Sequence, residues 1–259
     1  KKYGITGKIQ SIQWISITIS SIFVSLIGGY IADNFNYKVA YLLILPIYLL
    51  LMFSAIKYKN NINTIKENTF FKSIKKYRKL FSKNFLLVCL FIFLYKFSPS
   101  FGTPLMFIIT NKFRWSYSFI GFISSISSII SILGAILYWK YSSKINIKKW
   151  LIISVFLGAI TTLSYLYFTP ITAIVYDILY SFIGMFIFLM VMDFMARNTV
   201  RGIEATTFAI LCGISNLAGG TLSSLTGAWL YPLVGLKWLI VISSLTSFLC
   251  LIIIKKLKN

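Results

Sequence analysis

Long apolar blocks that few charges interrupt dominate this chain. Leu42 to Phe53, for example, contains no charged side chain. A helix needs about 20 mainly apolar residues to cross a bilayer core of about 30 Å. Eight blocks meet that length: 9–32, 38–57, 84–110, 117–140, 149–168, 171–195, 205–230 and 236–254. Polar or turn-forming residues separate them, among them Asp33-Asn34-Phe35-Asn36, Lys144-Ile145-Asn146, Thr169-Pro170 and Tyr231-Pro232. Transmembrane strands would be about 10 residues of alternating polarity, a pattern absent from Leu42 to Phe53. The expected fold is therefore all-α and integral to a membrane, with eight transmembrane helices.

Composition tests that expectation through charge. The chain has 26 Lys and Arg against 5 Asp and Glu, a balance that in a soluble protein points to nucleic acid. Here the bases fall between apolar blocks, so nucleic acid is not the expected partner; the lipid bilayer is. With both chain ends on one side, 21 of the 26 bases lie on that side and four on the other. Positive-inside asymmetry of this size puts both ends in the cytoplasm or its organellar equivalent. The 57–83 connection carries nine bases against Glu67 alone. It reads as a topology signal, with contact to anionic headgroups as the functional alternative. Phe70, Phe71, Ile74, Tyr77 and Leu80 recur there at helical spacing, as in a helix lying on the membrane.

Several functions drop out. There is no histidine, which excludes His-dependent triads and imidazole bases and leaves no metal site to expect. Cys89, Cys212 and Cys250 each sit in an apolar run without metal-ligand spacing and read as apolar packing. Only five carboxylates are present, with no paired acids and no phosphate-binding glycine loop. Neither an enzyme nor a bound cofactor is expected. The chain opens at Lys1 with no signal-peptide architecture, so N-terminal truncation is expected.

Small residues recur at steps of four. Ser215, Gly219, Ser223 and Gly227 form one stripe, Ser21, Ser25 and Gly29 another, and Ser127, Ser131 and Ala135 a third. Membrane helices approach closely along such stripes.

Further residues carry a resemblance. Gly7-Lys8-Ile9-Gln10-Ser11 to Trp14, leading into Gly28-Gly29, resembles the fifth helix of folate–biopterin transporters, a branch of the major facilitator superfamily. Ser98-Pro99-Ser100, Met106-Phe107, Thr110-Asn111 and Phe119-Ile120-Gly121 look like its seventh helix and the following turn. Asp193, Ala196-Arg197 and Gly202-Ile203-Glu204-Ala205-Thr206 look like its tenth-to-eleventh connection, continued by Ser215-Asn216-Leu217 and Gly227-Ala228-Trp229. The resemblance implies a major facilitator-like fold whose eight helices here are five to twelve of twelve. Residues 1–57 would then end the N-terminal half, 58–83 would be the basic cytoplasmic central loop, and 84–259 the six-helix C-terminal half. It also implies a monomeric secondary transporter, a symporter for folate- or pterin-like solutes. Departures fall at Val200, usually proline, at Gly102, often acidic, and at Lys96, usually uncharged. Permeases of the acetyl-CoA or muropeptide type stay open on these residues, as does a membrane assembly factor on the same scaffold.

Lys96 lies about 20 Å from either end of its block at 1.5 Å per residue, and a lysine at that depth costs about 2.5–3.5 kcal/mol. It should therefore face protein or a wet cavity. Ser100 and Thr103 follow at i+4 and i+7, expected on the same face, while Pro99, Gly102 and Pro104 interrupt the helix and free backbone groups for a ligand. Lys96, Ser100, Thr103 and Asn216 are the candidate substrate-binding residues. An internal ion pair is the alternative for Lys96, with Asp177 as its partner; Asp177 is also the candidate proton-coupling carboxylate, with an interfacial aspartate favoured by the helix dipole as the other reading. Asp193, Arg197, Arg201 and Glu204 are expected to form a charge cluster that closes the cytoplasmic side.

Overall fold

The computed structural model describes residues 3–57, 80 and 82–254. The Phe70 to Leu80 helix expected in the basic loop falls, apart from Leu80, outside the described residues. Among those described, all regular structure is helical. Helix α1 spans Tyr3–Asn34, α2 Tyr37–Lys57, α3 Lys83–Lys96 and α4 Gly102–Phe107, which a π-helical turn, Ile108–Lys112, extends. Helix α5 spans Tyr117–Tyr141, α6 Ile147–Ser164, α7 Pro170–Arg197 and α8 Glu204–Asn216. A second π-helical segment, Leu217–Leu222, joins α8 to α9, Ser223–Ser247; a short 3₁₀ turn then leads to α10, Leu251–Ile254.

The separators at Asn146 and Thr169 become helix caps, while Tyr231-Pro232 lies inside α9 and the chain breaks at Gly235 instead. Asn146 accepts the Lys149 amide at 3.3 Å and starts α6. Thr169 and Thr172 cap each other reciprocally ahead of α7, with Pro170 in the first turn, where its missing amide costs nothing. Ser116 does the same for α5, accepting from Phe119 at 3.1 Å. These side chains satisfy amides that the first helical turn leaves unpaired.

Six helical stretches are long and apolar enough to cross a membrane. Five match expected blocks, and the sixth, Glu204–Ile254, holds two of them in 51 residues. Gly235 divides that stretch at φ 74° and ψ 170°, a conformation that costs a side-chain-bearing residue far more than glycine. Beyond it the chain has reversed. Ser244 donates to the Ala159 carbonyl at 3.2 Å and the Phe248 ring lies 5.4 Å from Phe156, so this limb runs antiparallel to α6. The block expected at 84–110 is not one helix: α3 ends at Lys96 and residues 97–101 are non-helical.

Contacts order the rest. Along α1 and α5 the pairs run Gly29 on Gly121, Ile22 with Ser125 and Gly7 on Ser142, an antiparallel seam over the whole length. Helices α5 and α7 are parallel, pairing Ser127 with Asp177 and Tyr138 with Asp193. Segment α3–α4 runs parallel to α6, through Tyr95 with Ser154 and Phe101 with Tyr165.

The apolar core gathers at the end where Lys140, Lys144 and Arg197 lie, the basic end. Phe91, Ile92, Tyr138, Leu151, Met190 and Leu211 are buried there. Helix α2 is exposed from Tyr41 to Lys57. An apolar surface of this extent belongs against lipid or other helices. The protein is a multi-pass integral membrane protein.

Asp33 ties the far end of the α1–α5 seam. Its two carboxylate oxygens accept the Tyr117 and Ser118 amides at 2.9 and 2.6 Å, capping α5 from another helix. Asp33→Ala is expected to lower the melting temperature in detergent and speed amide exchange at Tyr117 and Ser118. Unchanged exchange there would show that the cap contributes nothing.

Candidate functional site

Pro99 cannot donate a backbone hydrogen bond and disfavours helix at Ser98. The chain leaves the helix two residues before the proline: Phe97 is extended, with φ −80° and ψ 116°. The break frees backbone groups as expected, but Ser223 of α9 occupies two of them. Its hydroxyl donates to the Ser98 carbonyl, and its own carbonyl accepts the Ser100 amide at 2.9 Å. Gly227 lies directly against the Ser100 backbone, one turn further along α9. The small-residue stripe read from the sequence is therefore the surface that receives the broken helix.

Lys96 is the last residue of α3, half-buried at the lip of that break. Its ammonium lies 5.4 Å from the centroid of the Phe188 ring of α7, within cation–π range. Gly219, in the π-helical segment, packs against Lys96: a methyl there would meet the Lys96 carbonyl oxygen at 3.3 Å and its Cβ at 3.5 Å. Among the described residues Lys96 forms no ion pair. The alternative pairing with Asp177 is not made: Lys96 is level with Phe188, 11 residues beyond Asp177 and about 16 Å along α7.

The other candidates around Lys96 separate. Ser100 lies in the break, its hydroxyl oxygen accepting the Gly102 amide at 3.3 Å. Thr103 is exposed in the first turn of α4. The single helical face expected for Lys96, Ser100 and Thr103 does not form, since α3 stops at Lys96. Asn216 is exposed at the end of α8, three residues before Gly219.

At the basic end Asp193 is fully buried at 0% exposure. It accepts the Thr6 hydroxyl at 2.6 Å, the Tyr138 hydroxyl at 2.8 Å, and Arg197 Nε and a terminal nitrogen at 3.1 and 2.6 Å. Arg197 also donates to the Ser142 carbonyl at 3.3 Å. One carboxylate thus joins α1, α5 and α7. Arg201 and Glu204 are exposed. Thr6 and Tyr138 were not singled out from the sequence. Gly7 beside Thr6, packed on Ser142, is the one hint of a close approach there.

Asp177 accepts the Ser127 hydroxyl of α5 and lines a pocket of about 250 Å³ with Gly102, Ser124, Trp115, Tyr165 and Phe168. Phe188 and these aromatic walls carry no signal of their own in the sequence. Aromatic residues are so frequent in this chain that none stands out by type.

Comparison with known proteins gives this arrangement a family. The model of the Major Facilitator Superfamily matches residues 6–215. Folate transporter 1 of Plasmodium falciparum (isolate 3D7) is 28% identical over 195 residues, covering 68% of this chain and 38% of that protein. The folate-biopterin transporter of Synechocystis sp. (strain ATCC 27184 / PCC 6803 / Kazusa) is 26% identical over 231 residues, 82% of this chain and 46% of that protein. The chain thus spans less than half the length of either relative. No solved structure gives a significant match. With most of its length matched by the family model, the chain belongs to the Major Facilitator Superfamily.

Proposed function

We propose that this chain forms part of a secondary active transporter that moves folate- or pterin-like anionic solutes by alternating access, without chemical conversion of the solute. The observation that carries the reading is Lys96: a cation at a helix break inside the apolar region, over Phe188, with no ion partner among the described residues. A charge held there without a counterion suits an anion that arrives and leaves. Ser100, Thr103 and Asn216 flank it as polar contacts. Asp177 takes the coupling proton in one conformation. The Asp193–Arg197 knot, with Arg201 and Glu204 at its rim, closes the cytoplasmic side.

The topology of this reading has eight crossings, helices five to twelve of twelve. Residues 1–57 end the first half, 58–83 form the cytoplasmic loop, and 84–259 form the second half. Two observations support it: the reversal at Gly235 and the parallel run of α3–α4 beside α8–α9. The names of the two relatives support the solute class.

Uptake of labelled folate by the full-length protein in proteoliposomes under an inward proton gradient tests the proposal. The expected result is uptake competed by unlabelled pterins but not by acetyl-CoA or a muropeptide. Competition in the reverse order would reassign the solute.

A further inference from the structure

The Asp177 pocket lies apart from Lys96, and its lining is of a different kind. One wall is aromatic. The Tyr165 and Phe168 rings are 5.8 Å apart, Phe101 lies 5.4 Å from Tyr165, and Phe113 lies 5.5 Å from Phe168. Among the described residues no basic side chain lines the pocket; its charged group is the Asp177 carboxylate, with Ser124 nearby. Ser127 occupies one carboxylate oxygen, and among the described residues the other accepts no hydrogen bond. At about 250 Å³ the cavity is below the ~300–1,000 Å³ usual for a whole drug-sized ligand. It fits a ring-sized fragment.

An acceptor-only carboxylate among π-faces selects against anions. It favours a flat ring that stacks on aromatic side chains and presents N–H donors at its edge. Gly102 lines this pocket and is six residues from Lys96, about 9–20 Å by chain length. That span suits one ligand with a ring at one end and carboxylates at the other.

We propose that the pocket is the ring-binding subsite of the transporter. Ionised Asp177 accepts hydrogen bonds from the amidine-like N–H edge of a flat heteroaromatic ring held against Tyr165 and Phe168, while Lys96 takes the anionic end of the same molecule. This rests on the transporter reading above. The coupling proton and the ring edge then use the same carboxylate in turn.

Equilibrium binding to the purified full-length protein, at fixed pH and without a gradient, separates ring recognition from proton coupling. Three probes are used: folate, 2-amino-4-oxopteridine as the ring alone, and p-aminobenzoylglutamate as the tail alone. Asp177→Asn is expected to weaken the pteridine about 10- to 100-fold, the range for a lost hydrogen bond to a charged group. Tail binding should stay within about twofold, which also reports that the variant is folded. Phe168→Ala, which keeps the carboxylate, should weaken the pteridine by a smaller factor. Lys96→Ala should show the opposite split between ring and tail. Wild-type pteridine affinity in both Asp177→Asn and Phe168→Ala overturns the subsite, even if folate binds. If the unsubstituted protein binds none of the three probes, the solute assignment beneath it fails instead.

Discussion

Gly227→Ala is expected to destabilise the protein more than any other single methyl added to it. The new carbon would overlap the Ser100 carbonyl oxygen and lie 2.7 and 2.8 Å from the Ser100 carbonyl carbon and amide nitrogen. These are backbone atoms. They cannot swing aside as a side chain would, because Ser223 holds the Ser98 carbonyl and the Ser100 amide. Overpacking of this kind costs about 3 kcal/mol or more when nothing yields. The effect should appear as loss of folded protein, or a lower melting temperature in detergent. Gly213→Ala is the control, since nothing lies within 4 Å of its added carbon. Equal melting of the two variants would mean that α9 and the broken helix are not in contact.

Asp193→Asn is expected to have an effect of similar size. The substitution removes the charge opposite Arg197, whose side chain is only 20% exposed. It also replaces an oxygen that accepts from Thr6 or Tyr138 with an amide that can only donate. Breaking one partner of a buried pair costs about 3–5 kcal/mol. Neutralising both, in Asp193→Asn with Arg197→Gln, should cost less than the sum of the single changes, by about 0.5–3 kcal/mol. Thermal melts of the four proteins measure this coupling. Because the knot joins α1 to α5 and α7, Asp193→Asn should also raise the reactivity of a cysteine placed at Thr6 towards a membrane-impermeant maleimide. Strict additivity with unchanged labelling would remove the gate role.

Much of the helical layout was legible because lipid leaves the backbone little choice. An apolar block of about 20 residues must be helical to satisfy its own amides, and Asn146 and Thr169 mark where helices begin. The small-residue stripe at Ser223 and Gly227 was legible as a close contact, though not what it touches. Which segments meet is decided across separations such as 50 residues for Ser127 with Asp177 and 187 for Thr6 with Asp193, and spacing along one helix carries no such information. The Lys96, Ser100 and Thr103 face failed for a local reason. Helical periodicity was carried through Pro99, where the helix has already ended. Lys96 with Asp177 failed for a geometric one: opposite charges are easy to pair on paper, while the level of each along its helix is fixed by packing. Asp193 with Arg197 succeeded because an i,i+4 spacing is itself a distance.

The central claim is that the Lys96 charge, and not its bulk, holds an anionic solute. Equilibrium binding of labelled folate to the full-length protein, in Lys96→Ala and Lys96→Arg beside the unsubstituted chain, tests it directly. Loss of a charge-assisted contact of about 1.5–3 kcal/mol predicts affinity about 10- to 100-fold weaker in Lys96→Ala. Lys96→Arg, which keeps a cation over Phe188, should recover most of it. Unaltered folate affinity in Lys96→Ala would contradict the account.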